Sequence, residues 1–173
     1  MALGPRARTL LSALAARTTR LRLGVMTKPS VFEFAGGDDA FLALAAAFHE
    51  RCLADPELNH PFSHSSPQHV EHLAAYWAEV FGGPPRYSRS IGGHSRVLEM
   101  HAGTGAQDDL GPRFVACFMR ALDDAELPSD VEFRAALRSY IDWAVAEVMA
   151  ISPLGSVVRP DLPVPHWGWE GPE

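Results

Sequence analysis

Two cysteines in 173 residues, far apart and outside any C-x-x-C pairing, leave no disulfide framework to consider. Cys52 and Cys117 sit among apolar neighbours and read as small buried hydrophobes of a reducing compartment. No run of about 20 apolar residues occurs, so no membrane span is expected. The patterns G-x-S-x-G, G-x-x-x-x-G-K-[ST] and H-E-x-x-H are all missing, and no pair of carboxylates stands out. That removes common hydrolase, nucleotide-binding and metalloprotease signatures. Strand-like alternation and internal repeats are absent as well. The net charge of −6 argues against a nucleic-acid partner.

The length and the 47% hydrophobic content suit one globular domain with a sizeable core. The charge is unevenly spread. Arg6, Arg8, Arg17, Arg20, Arg22 and Lys28 fall in residues 1–28, which contain no acid, so the rest of the chain is strongly acidic. The head carries the apolar run "LLSALAA", but that run is short, Arg17 soon interrupts the apolar chain, and no clean A-x-A-like cleavage site follows. The expectation is a disordered basic extension over 1–28, or an over-long reading frame restarting at Met26. A single domain then spans 29–151, and 152–173 form a tail rich in proline and glycine that contains Trp167 and Trp169.

Within the domain the period is helical almost throughout. "GGDDAFLALAAAFHERCLADP" offers Asp38 as a cap, then Phe41, Leu44, Ala45, Phe48 and Cys52 at three-to-four spacing, and stops at Asp55-Pro56. A second helix is expected to start with Ser65 or Ser66 as cap and Pro67 in its first turn. It runs through His69, Leu73, Tyr76, Trp77 and Val80 to "GGPP". A third, over 108–125, aligns Phe114, Phe118, Ala121 and Leu122, with acids near its start. Beyond Pro128-Ser129 the fourth has the clearest stripe, Phe133, Leu137, Tyr140, Ile141, Ala144, Val145 and Val148. The fold class is all-α with four main helices.

Any chemistry must come from the histidines. There are eight, and seven lie between positions 49 and 101. His60 and His64 read as solvated loop residues. His69 and His72, three apart, could chelate a metal from one helix face, but the usual further ligands at fixed spacing are missing. On residue types alone, a haem-free helical protein remains open, either a His-rich metal binder or an interaction module whose aromatics are all core.

The order of the features narrows this. "AFHERCLADPELNHPF", a turn carrying Phe62, a helix opening with His69, "AYWAEVFGGPPRYSRSIGGHSRVLEMH" and a long helix near Phe114 together resemble the second group of the truncated haemoglobins, over roughly residues 31 to 150. The resemblance implies a two-over-two helical sandwich around haem b and its iron. It places the metal-binding proximal histidine on His101, the aromatic against the haem face on Phe62, and the ligand-facing distal position on His69. Leu73, one turn on, limits the pocket. His72 then falls near the haem edge with Tyr87, His94 and Arg96.

Two positions depart from the group. His49 stands where a tyrosine is usual, and Phe114 where a tryptophan is usual. Phe114 has no donor for a bound ligand, and His49 is a candidate to replace the missing one. The ligand pocket expected is therefore His49, His69, Leu73 and Phe114. The resemblance implies a cytoplasmic protein binding dioxygen or another diatomic molecule such as NO or CO, or peroxide. Nitric-oxide dioxygenation and peroxidase-like chemistry are compatible with it. The sequence does not choose between these and simple binding, and it names no catalytic residue. With no flavin or nicotinamide domain in the chain, any reductase is a separate partner. The oligomeric state is not legible. The competing haem-free reading differs in cavity demand, because a globin must keep a flat apolar slot beside Phe62, Leu73 and Phe114.

Overall fold

The computed structural model describes residues 28–105 and 109–173. Residues 1–27, on which most of the expected basic extension falls, lie outside the described residues. The first helix, α1 (Val31–Ala35), is short and strongly specified. Ser30 Oγ accepts from Glu33 N–H at 3.1 Å while Ser30 N–H donates to Glu33 Oε2 at 3.0 Å. This reciprocal pair satisfies two helix-start donors at once. Gly36 then takes φ 112°, a left-handed value that side chains disfavour, and lets the chain turn directly into α2 (Asp38–Ala54).

On α2 the predicted stripe is the buried one: Phe41, Leu44, Ala45, Phe48 and Cys52. Its start differs by one step, since Gly37 is the cap and Asp38 is the first helical residue, where its charge favours the helix dipole. The stop is as read. Asp55, before Pro56, is extended (φ −84°, ψ 122°), and its Oδ1 accepts from Glu57 and Leu58 N–H. A single turn, α3 (Asn59–Ser63), follows.

The helix α4 (His69–Val80) begins later than the sequence suggested. Gln68 is its cap, and Ser65 to Pro67 belong to the preceding turn. His69 N–H donates to Ser66 O at 3.0 Å, so the turn delivers His69 to the first helical position. The helix ends at the "GGPP" stop. Gly83 is needed there, because a Cβ would meet Ala78 O at 2.6 Å and Phe32 at 2.9 Å. Two short helices, α5 (Arg86–Ser90) and α6 (His94–Glu99), lead to α7 (Leu110–Asp124) and α8 (Val131–Ile151). No acid lies in the first turn of α7, and Asp109, its cap, makes no side-chain capping bond. Asp130 caps α8, accepting from Phe133 N–H at 2.9 Å.

The four long helices form two layers, α2 against α4 and α7 against α8, with α2 also packed on α7. This is the two-over-two sandwich. Phe48 is fully buried where the layers meet, its ring centroid 5.4 Å from Trp77, 4.7 Å from Phe114 and 6.2 Å from Phe118. Cys52 and Cys117 are free and buried, and burial pushes both thiols up, away from the reactive thiolate form.

The C-terminal residues contain the described strands, a hairpin pairing β1 (Trp167–Gly168) with β2 (Gly171–Pro172). Two-residue strands are too short to show alternation, which is why no sequence pattern marks them. Trp169 Nε1 donates to Pro29 O at 2.7 Å, and Lys28 lies 3.6 Å over the Trp169 ring while pairing with Glu132 at 2.6 Å. The hairpin is thereby fastened to the start of the domain.

Candidate functional site

Four elements bring aromatic rings together at one end of the sandwich. His49 follows the buried Phe48 on α2, Phe62 comes from α3, His69 opens α4, and Phe114 lies one turn into α7. The His49 and His69 rings are 5.3 Å apart, and Phe62 is 5.7 Å from each. Phe114 lies 6.3 Å from Phe62. Two ring nitrogens in this cluster, His49 Nδ1 and His69 Nε2, are buried with no hydrogen-bond partner. Such groups are costly to leave unpaired, so they mark a place where a further acceptor or donor belongs. Burial holds the pKa of His69 below 6.5, with the charges of His49, His72 and His101 acting the same way. His69 is therefore a neutral imidazole near pH 7, able to donate from one nitrogen and accept at the other.

His101 is prepared differently. It follows α6, and its own N–H donates to Leu98 O at 2.9 Å. Its Nδ1 lies 2.7 Å from Val97 O. A carbonyl can only accept, so Nδ1 carries the proton and Nε2 keeps its lone pair. That is the tautomer a metal-binding imidazole needs, with the ring oriented by the same bond. The chain beyond is held too: Thr104 Oγ1 donates to His101 O at 2.9 Å.

The residues expected at a haem edge are not all alike. Leu73 is half-buried one turn beyond His69, and His72 and Arg96 are exposed. Tyr87 is buried against Tyr76, ring centroids 5.0 Å apart, and burial raises its pKa despite Arg96 nearby. His94 is buried beside the same Tyr76. Its Nδ1 and Tyr76 Oη share a 2.7 Å hydrogen bond, and its ring stacks between Tyr76 and Trp143. Its Nε2 is 4.0 Å from Glu147 of α8. By its spacing Tyr76 reads as plain core, but a buried tyrosine hydroxyl requires a partner.

Residues 30–143 match the family model described as bacterial-like globin. The chain belongs to the bacterial-like globins. Among solved structures, this globin is 28% identical to a haemoglobin of Chloroflexus aurantiacus, with 70% of this chain and 98% of that chain covered and a TM-score of 0.62. It is 27% identical to a thermostable haemoglobin of Thermobifida fusca, covering 70% of this chain and 97% of that one at a TM-score of 0.59. A group II truncated haemoglobin of Bacillus anthracis, at 18% identity, shares the fold with a TM-score of 0.64 over 76% of this chain and 99% of that chain. No curated protein matches. Membership in the family carries haem-based ligand binding in its general form.

The family match ends inside α8, so residues 144–151 of that helix and the C-terminal residues lie outside it. Open hollows of about 370 and 250 Å³ run along the globin's C-terminal hairpin beside Lys28 and Trp169, and none of the predicted haem-facing residues lines them. Among the described residues no three His, Cys, Asp or Glu side chains converge on a metal without a cofactor, and no helix is long and apolar enough to cross a membrane.

Proposed function

We propose that this globin, with its domain at 29–151, is of the group II truncated type. It holds haem b between His101 and His69 and binds dioxygen or another diatomic molecule. The observation that carries this is the opposed preparation of the two histidines. His101 has Nδ1 committed to Val97 O and Nε2 free, while His69 Nε2 is buried and unpartnered. When bound, haem b would supply an iron centre with one face open to a diatomic ligand.

The chain's own contribution is binding and orientation. His101 Nε2 would hold the metal. Phe62 and Leu73 would give apolar cover that excludes water, and His72, Tyr87 and Arg96 would meet the polar edge of the cofactor. With its proton on Nε2, His69 donates a hydrogen bond to a polar ligand. His49, one ring away, supports His69 or donates in its place. Phe114 contributes bulk and no donor, so polarity comes from the α2 and α4 histidines. Reduction falls to a separate protein, and a cytoplasmic location fits the buried free thiols.

Hemin titration tests this reading. The expected result is one haem per chain with an intense Soret band, and strongly reduced retention in His101→Ala unless imidazole is supplied. A folded protein that ignores hemin would overturn the reading.

A further inference from the structure

We propose that residues 151–162 form a clamp that positions the proximal histidine, with Ser95 as its principal positioning residue. The proposal rests on the reading of His101 as the haem ligand. Its starting point is that α6 has little to hold it. It is six residues long, its cap Gly93 offers no side chain, and so short a helix is unstable alone. Its first N–H groups need partners from outside the helix.

The C-terminal segment supplies them. His94 N–H donates to Leu162 O at 2.8 Å. Ser95, 7% exposed, donates from Oγ to Arg159 O at 2.7 Å and accepts from Leu162 N–H at 2.8 Å. The approach is close enough that a Cβ on Gly93 would overlap Leu162 O. The other end of the same stretch is tied down as well, by Gly103 N–H to Ile151 O at 3.1 Å and Gly105 N–H to Ser152 O at 2.9 Å. Ser152 is itself buried, its Oγ donating to Val148 O at 2.8 Å.

His101 lies between these two sets of bonds. One continuous piece of chain thus grips the segment 93–105 at both ends, and the imidazole is set by a backbone that cannot drift in either direction. Residues 151–162 lie beyond the stretch that matches the family model, while the segment 93–105 that they grip lies within it. The consequence of the clamp is a fixed position of Nε2, which would govern how firmly haem is held.

The test uses the full-length protein with Ser95→Ala, which removes both side-chain bonds, and Gly93→Ala, which pushes Leu162 away by backbone overlap alone. Trp169→Phe is the control, because it releases the hairpin from Pro29 without touching 151–162. Each lost hydrogen bond is worth roughly a factor of two to ten. Haem transfer to excess apomyoglobin is therefore expected to be about tenfold faster in Ser95→Ala and Gly93→Ala. Two further readouts go beyond stability. The iron–imidazole stretching band of the ferrous protein should shift, and amides of 94–105 should exchange faster in the haem-free chain. Trp169→Phe should change none of these. Wild-type band, transfer rate and exchange in both clamp variants overturn the clamp, as does an equal response in Trp169→Phe. A wild-type chain that takes up no hemin overturns the haem reading and the positioning role with it; hemin uptake with clamp variants that behave as wild type overturns the positioning role alone.

Discussion

Replacing His69 by leucine removes one imidazole from the His49–Phe62–His69 cluster while keeping an apolar side chain of similar bulk. His69 Nε2 is buried and unpartnered, and the imidazole is kept neutral by burial and by its neighbouring histidines. A polar diatomic ligand would give Nε2 its missing partner. A hydrogen bond to a group bearing partial charge contributes roughly 1.5–3 kcal/mol, and about 1.4 kcal/mol is a factor of ten in an equilibrium constant. Dioxygen affinity should therefore fall by about one to two orders of magnitude, mostly through faster dissociation. Carbon monoxide, less polar when bound, should respond much less. His49, with its ring 5.3 Å from that of His69, is the test of specificity. Stopped-flow dissociation on His69→Leu, His49→Leu and the double variant separates the roles, because residues in contact show non-additive effects. If His49→Leu produces the large acceleration and His69→Leu none, the assignments are reversed. If neither matters, the site is not polar in the way argued.

Two further outcomes follow from the packing. Phe48→Ala removes a fully buried ring that touches Trp77, Phe114 and Phe118, and should cost roughly 3–5 kcal/mol in chemical denaturation of the haem-free chain; a loss under about 1 kcal/mol would contradict the layer contact described. Burial also lowers the pKa of His94 below 6.5, Glu147 opposing, so below that pH the unfolded chain binds a proton that the folded chain resists. Stability from this group is complete above pH 6.5 and declines as pH falls below it, and thermal midpoints across that range should decline less steeply in His94→Leu combined with Tyr76→Phe, which also removes the hydroxyl that bonds the His94 ring.

What the sequence made legible was whatever one helix face records. Phe41, Leu44, Phe48 and Cys52 on α2, and Phe133, Leu137, Tyr140 and Ile141 on α8, were readable because each stripe repeats at helical spacing and faces a single neighbour. Helix starts were less so. Ser65 and Ser66 look like caps, yet the turn through Pro67 and Gln68 places His69 first, a difference decided by the chain's path and not by side-chain preference. His94 shows the deeper limit. Read along its own segment it stands beside Tyr87 and Arg96, but its partners are Tyr76 on α4 and Trp143 and Glu147 on α8, and no local pattern reports which distant helix a short element will meet. The same holds for Ser95, whose hydroxyl bonds Arg159 and Leu162 across more than sixty residues of chain. In both cases a small polar side chain is buried, and burial obliges it to find a partner. The obligation can be read from an apolar context, but the partner emerges only when the helices are docked. His49 and His69 sit on different elements in the same way, and the juxtaposition of two unpartnered ring nitrogens exists only because α2 and α4 pack against each other. A cluster of this kind is a property of the docking, which is why the residue types are visible in the sequence while their pairing is not.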